Sequence, residues 1–200
     1  MMKKLFFTLF LATLAPLSWV SADPQIVMSY YVFPVSSTGN VTYGAEHHDY
    51  PATDIFCPPG SIFRAVTDGV VEHISTQDVW AQSINDPKSR GGLSVSIIGD
   101  DGIRYYGSHL STIAEGLAIG QRVNAGDTLG HTGDSGNARV TPPHVHFGIS
   151  RPTTPDDWTT RRGEVLPYPY LKLWAGGTVL VPRRIDAPSL TPPQGGTLLP

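Results

Sequence analysis

Short β-type runs separated by glycine and proline turns dominate this sequence and constrain its fold more than any other feature. Among the 200 residues, 21 are Gly and 18 are Pro, whereas these two types together usually make about 12% of a chain. Residues 93–98 alternate apolar and polar side chains with period two, which is typical of a half-buried strand. The pattern predicts a mainly β protein, a compact antiparallel β-sheet or sandwich with Gly-rich loops and little helix.

The same patterns predict where the strands lie. An Asp-Gly turn at 68–69 between two apolar runs predicts a hairpin over residues 62–75. The polar stretch 79–90 predicts a loop, and residues 168–174 predict one short helix. Further strands are expected within residues 25–35, 93–98, 103–110, 122–123, 128–131 and 145–149.

The N-terminus has the three parts of a secretory signal peptide over residues 1–22. Lys3 and Lys4 precede an apolar run at 5–17, and small residues follow at 20–22. The run is too short for an ordinary membrane span, and no Cys follows it to carry a lipid anchor. We therefore expect export to the periplasm or the medium, with no membrane span after cleavage. A main domain would occupy residues 23–180, with its core at 46–150, and a Pro-rich tail residues 181–200.

Charge and side-chain counts restrict the chemistry. The formal net charge of −3 gives no electrostatic case for binding nucleic acid. One Cys stands against seven His, so a metal ion would be held by imidazole and carboxylate rather than by thiolate. We expect Cys57 to be a small buried residue.

Three histidine clusters could supply such a site. Residues 142–147 contain His144 and His146, which share one face of a strand because alternate side chains point the same way. Residues 46–54 add His47 or His48 together with Asp54, and residues 106–110 add His109. Taken singly, each cluster has a plainer explanation, such as a turn cap or a half-buried histidine.

Taken together, the clusters and the stretches between them resemble the lysostaphin/LytM-type zinc metallopeptidases. The family's Ala-x-x-Asp-Gly-x-Val stretch is matched at 65–71 and its Tyr-x-His-Leu strand at 106–110. Its Gly-rich stretch beginning with Val is matched at 123–133, and its Pro-His-(Leu/Val)-His-Phe ending at 143–147. The resemblance covers roughly residues 46–150.

The resemblance implies a role for each cluster. Asp54 and His146 would be ligands of one zinc ion, with His47 or His48 as the third, and His109 and His144 would be the catalytic histidines. The implied activity is zinc-dependent endopeptidase cleavage of peptide cross-links in bacterial peptidoglycan. The peptide stems are then the binding partner, with D-Ala–diaminopimelate bonds favoured over glycine bridges. The sequence identifies no regulatory partner.

Two departures leave the third ligand open. The common His-x-x-x-Asp spacing would place a histidine at position 50, where this chain has Tyr50, and the spacing slightly favours His48 over His47. The tyrosine of the Tyr-x-His strand also lies one residue further from His109 than usual.

Two alternatives compete with this interpretation. The spacing from His47 to Asp54 matches the related D-Ala-D-Ala zinc peptidases, but residues 140–143 lack the carboxylate base of those enzymes. A non-catalytic activator or binding module of the same fold is the other, and the complete set of candidate ligands argues against it. His73 and His131 match no position that carries chemistry.

Overall fold

The computed structural model describes residues 30–45 and 47–182. Within that part of the chain, ten strands form one sheet in which the paired strands are antiparallel, which confirms the predicted fold class. The strands are β1 (Val35–Ser36), β2 (Thr42–Tyr43), β3 (Thr53–Phe56), β4 (Ile62–Arg64), β5 (Gly69–Ser75), β6 (Leu93–Gly99), β7 (Arg104–Ile113), β8 (Arg122–Val123), β9 (Thr128–Thr132) and β10 (His144–Ser150). A 3₁₀ helix spans Gly136–Val140, and the helices are α1 (Trp158–Arg161) and α2 (Tyr168–Ala175).

The long strand β7 organises the sheet. Its first half lies between β6 and β10, and from Leu110 onward it pairs with β9. The sheet therefore curls, with the order β1-β4-β9-β7-β10-β3-β2 and with β6, β5 and β8 continuing from the other side of β7. The largest apolar side chains that the curl buries completely include Ile55, Phe63, Ile97, Tyr105, Leu110, Phe147 and Ile149.

A close approach of two strands explains one glycine in β7. A Cβ atom at Gly107 would lie 2.3 Å from Cζ of the buried Phe63 ring. Glycine therefore lets the Phe63 ring lie directly against the backbone of β7. This contact lies one residue before Ser108, which is paired with His146 on β10.

Most predicted elements are confirmed, but the hairpin predicted over residues 62–75 is wrong. β4 pairs with β1 and β9, whereas β5 pairs with β6 and β8. The reason is that the Asp68 carboxylate accepts a hydrogen bond from the Ala125 amide (2.7 Å), and its carbonyl accepts one from Asp100 (3.0 Å). These bonds hold a bend that carries the chain from one part of the sheet to another. The Asp101-Gly102 pair forms the true hairpin turn, between β6 and β7.

Several sequence predictions concern residues that the structure does not describe. The signal peptide at 1–22 and residues 183–200 of the tail lie outside the described residues. Of the strand expected at 25–35, the described part has strand geometry only at Val35. Cys57 is buried, as expected, with Sγ 3.3 Å from the hydroxyl of Thr132. In the described residues, no helix combines the length and apolar character needed to cross a membrane.

Candidate metal centre and groove

The register of β10 assembles the site. β10 lies between β3 and β7 and places His146 directly opposite Asp54 on one side and Ser108 on the other. His144 and His146 both line one groove, as the period of a strand predicts. Backbone pairing thus brings a histidine and a carboxylate together although 92 positions separate them in the sequence.

Three side chains form a compact donor set: His47, Asp54 and His146, whose ligand atoms all lie within 4.8 Å of one another. Nδ1 of His146 lies 2.9 Å from Oδ1 of Asp54, and Nε2 of His47 lies 4.0 Å from the same oxygen. His48 is exposed and stacks on the ring of His47, with 4.6 Å between the ring centres. Of the two histidines that spacing left open, the structure places His47 in the donor set.

The hydrogen bonds of His146 suit a bound cation. Nε2 of His146 lies 2.9 Å from the carbonyl oxygen of Arg162, which only accepts, so this nitrogen carries the hydrogen. In a neutral ring the lone pair of Nδ1 then faces a carboxylate oxygen of Asp54 at 2.9 Å. Two acceptors at this distance require a proton or a metal ion between them. Two imidazoles and one carboxylate are also the donor types that catalytic zinc sites use.

His109 and His144 both line the groove beside the donor set, and a backbone carbonyl sets the tautomer of each. Nδ1 of each lies 2.8 Å from a backbone carbonyl oxygen, that of Ser135 for His109 and that of Pro142 for His144. Because a carbonyl only accepts, both Nδ1 atoms carry the hydrogen, and a neutral ring keeps its lone pair on Nε2. Nε2 of His144 lies 4.0 Å from Oδ1 of Asp54. The rings of His109 and His144 have their centres 4.9 Å apart.

His109 has a strained backbone that its neighbours hold in place. Its φ is +64°, in the left-handed region that residues with a Cβ atom rarely adopt. Its amide donates to the carbonyl of Gly91 (2.9 Å), and its carbonyl accepts from the amide of Gly133 (3.0 Å). Strained residues that are fixed from both sides are concentrated at functional sites.

The electrostatics favour the neutral form of two histidines, His47 and His109, and the ionised form of the carboxylate. Burial, reinforced by His146, lowers the pKa of His47 to about 4, and burial with His146 and His144 lowers that of His109 to about 3. Burial on its own would raise the pKa of Asp54, but the hydrogen bond to His146 and the nearby histidines lower it to about 2. Neutral imidazole and ionised carboxylate are the forms that bind a metal.

The site opens into a groove of about 570 Å³. The predicted loop at 79–90 supplies part of one wall, and Tyr50, Trp158 and Arg162 line the groove near the donor set. His73 also lines the groove. Sequence reasoning missed Tyr50 and Arg162, because no motif marks either of them.

The chain was compared with known proteins. The family model described as Peptidase family M23 matches residues 48–158. An L-Ala–D-Glu endopeptidase of Bacillus subtilis (strain 168) is 29% identical over 130 residues, which is 62% of this chain and 35% of that protein. The glycyl-glycine endopeptidase ALE-1 of Staphylococcus capitis is 29% identical over 119 residues, which is 59% of this chain and 27% of that protein. The chain thus matches about a third of the length of these relatives.

The chain is also similar to a solved structure. It is that of a candidate glycyl-glycine endopeptidase LytM from Ruminococcus gnavus ATCC 29149, with a TM-score of 0.58 and 26% identity. The match covers 76% of this chain and 62% of that one. The resemblance derived from the histidine clusters is therefore confirmed.

Proposed function

The chain belongs to peptidase family M23, and from this premise we propose that it is a zinc-dependent endopeptidase that cleaves peptide cross-links of bacterial peptidoglycan. One observation carries the proposal. The donor set His47, Asp54 and His146 lies beside two further histidines, His109 and His144, at the base of one groove. A binding module of the same fold would have no use for this complete arrangement.

The donor set would hold one zinc ion. Bound there, zinc would acidify a water molecule and polarise the carbonyl of the scissile peptide bond. Asp54 would supply a negative charge that offsets part of the charge of the ion, and the Arg162 carbonyl, which accepts from Nε2 of His146, would keep Nδ1 of that ring free to bind it.

His144 and His109 would act on the attacking water. In the neutral form each ring offers a lone pair at Nε2, because Nδ1 donates to a backbone carbonyl. His144, two positions from His146 on the same strand, would take the proton of the attacking water. His109 would accept a hydrogen bond from that water at Nε2 and so orient it, and His144 would give the proton it has taken to the leaving amine.

The bond that is cut is a further part of the proposal. The two curated relatives are named for different bonds, L-Ala–D-Glu and glycyl-glycine, so family membership does not determine it. The signal peptide predicted at residues 1–22 would deliver the enzyme to the periplasm, where stems are joined directly by D-Ala–diaminopimelate bonds. We propose this bond as the substrate.

His146→Ala tests the function. We expect the purified full chain with this change to retain no stoichiometric zinc and to lose hydrolysis of purified peptidoglycan by at least about 100-fold. Zinc is measured by elemental analysis, and the products by mass spectrometry of the released muropeptides. His131→Ala is the matched control, because His131 lies outside the groove and contacts the hydroxyl of Thr112.

The outcomes separate the alternatives. Full activity in His146→Ala would disprove the proposed mechanism. A wild-type chain that binds little zinc and releases no muropeptides would instead indicate the non-catalytic module.

A further inference from the structure

Arg162 lines the groove, and its guanidinium group has no polar partner among the described residues. Its Cζ lies 3.9 Å from the ring centre of Tyr50 and 4.9 Å from that of Trp158, so two aromatic rings hold it. Its Nε is buried and has no hydrogen-bond partner. Among the described residues, the structure records no hydrogen bond or ion pair from the Arg162 side chain.

Other arginines show how unusual this is. Each of five others in the described chain has a carboxylate partner: the pairs are Arg104 with Glu72, Arg122 with Asp100, Arg139 with Asp78, Arg151 with Glu164 and, at 4.0 Å, Arg161 with Glu72. Aromatic rings contact the faces of a guanidinium, whereas its N–H groups point outward in the plane. The environment of Arg162 therefore holds the group in place and leaves its terminal N–H groups for a ligand.

Arg162 also lies next to the donor set. Its carbonyl oxygen is 2.9 Å from Nε2 of His146. The hydroxyl of Tyr50, on whose ring the guanidinium stacks, is 3.4 Å from the same nitrogen. One aromatic ring thus separates the guanidinium from a proposed zinc ligand.

We propose that Arg162 is a specificity-determining residue that binds a free carboxylate of the substrate beside the scissile bond. This inference rests on the proposed function and narrows its substrate class to acidic cross-links. A D-Ala–diaminopimelate cross-link carries a carboxylate on the carbon that bears the scissile amide nitrogen, whereas the interior of a glycine bridge carries none. A planar guanidinium matches such a carboxylate through two parallel hydrogen bonds.

The test compares two synthetic substrates that differ in one group. Both are tetrapeptide dimers joined by a D-Ala–diaminopimelate bond, and in one the carboxylate beside that bond is a carboxamide. We expect kcat/KM of the wild-type full chain to be at least about tenfold higher for the free acid, as loss of a charge-assisted hydrogen bond predicts. Arg162→Gln should lose about 10- to 100-fold on the free acid and change by less than about twofold on the amide.

Two further variants sharpen the comparison. Arg122→Gln removes the same charge from an exposed arginine outside the groove and should leave both rates unchanged. Arg162→Lys keeps the charge but not the planar pair of donors, and it should restore part of the preference. An equal loss on both dimers, or no preference in the wild type, would overturn the proposal.

A binding measurement keeps this proposal distinct from the proposed function. Titration calorimetry with the zinc-free full chain compares the affinities for the two dimers without requiring turnover. If neither dimer is cleaved, the hydrolase function fails. The carboxylate site is then supported only if the free-acid dimer still binds more tightly than the amide dimer and Arg162→Gln removes that difference. Equal binding of the two dimers overturns the proposed carboxylate site.

Discussion

Backbone carbonyls determine the protonation of three histidine rings at the site. The carbonyls of residues 135, 142 and 162 each lie within hydrogen-bond distance of one ring nitrogen, on His109, His144 and His146 respectively. The other nitrogen of each ring is then available for the chemistry. A side chain of similar size would not reproduce this arrangement, because it would lack a second nitrogen at the opposite edge of the ring.

The two adjacent histidines at 47 and 48 should differ sharply in zinc binding. We expect His47→Ala to weaken zinc affinity by at least about tenfold to 100-fold, because it removes a proposed donor. His48→Ala is the matched control, since it removes an exposed ring one position away and should leave affinity within about twofold of the wild type. Competition with a fluorescent zinc chelator measures both. The reverse order would assign the third ligand to His48.

Strand β10 is the scaffold of the site. All seven of its residues are buried, and its neighbours β3 and β7 carry Asp54 and His109, respectively. A one-residue slip in the pairing of β10 would turn both of its histidines to the opposite face. The geometry of the donor set therefore depends on packing that holds this register.

Gly107 in β7 offers a test of that packing. We expect Gly107→Ala to lower the free energy of unfolding by roughly 1–3 kcal/mol, because the added methyl overlaps the Phe63 ring. Gly176→Ala is the control, since its φ is −88° and its nearest neighbour is at 3.5 Å, and it should change stability by less than about 0.5 kcal/mol. Urea denaturation measures both. Equal stability of Gly107→Ala and the wild type would contradict the close approach.

Three histidines, one buried and two partly buried, make the stability of the zinc-free molecule depend on pH. Burial is the main cause that lowers the pKa of His47 and His73 to about 4 and that of His109 to about 3. For His73 the charge of Arg161 adds to this effect, Glu72 opposes it and Arg104 adds to it more weakly. Because the unfolded chain binds these protons near pH 6.5 and the folded chain does not, acid favours unfolding.

We therefore expect the stability of the zinc-free full chain to be greatest above about pH 6.5 and to fall toward pH 4. His73→Gln should reduce that fall by on the order of 1 kcal/mol between pH 7 and pH 5. This figure is smaller than the free energy that the pKa shift alone would give, because solvent screens the charge of a partly buried ring. Urea denaturation at the two pH values, with chelator present, measures the difference. A constant stability over this range would contradict the neutral form of these histidines. Asp54 and Glu72 both have lowered pKa values, so the stability that they contribute is lost as the pH falls through the ordinary carboxyl range near pH 4 and toward the lowered values.

The sequence by itself determined the features that arise within a few consecutive residues. The side-chain patterns of residues 93–98 and 145–149 indicate strands without any knowledge of their neighbours in the fold. His144 and His146 share a face because a strand has period two. These local patterns, in their order along the chain, were enough for the fold class and for the family resemblance.

Only the tertiary structure decided which distant groups meet. The Asp68-Gly69 turn signal failed, because hydrogen bonds to residues 100 and 125 determine the path of the chain there. The place of His47 in the donor set depends on how the segment before β3 lies against His146, and the place of Arg162 depends on Tyr50 and Trp158. Such contacts follow from strand register and packing between distant segments, which the local alternation of side chains does not encode.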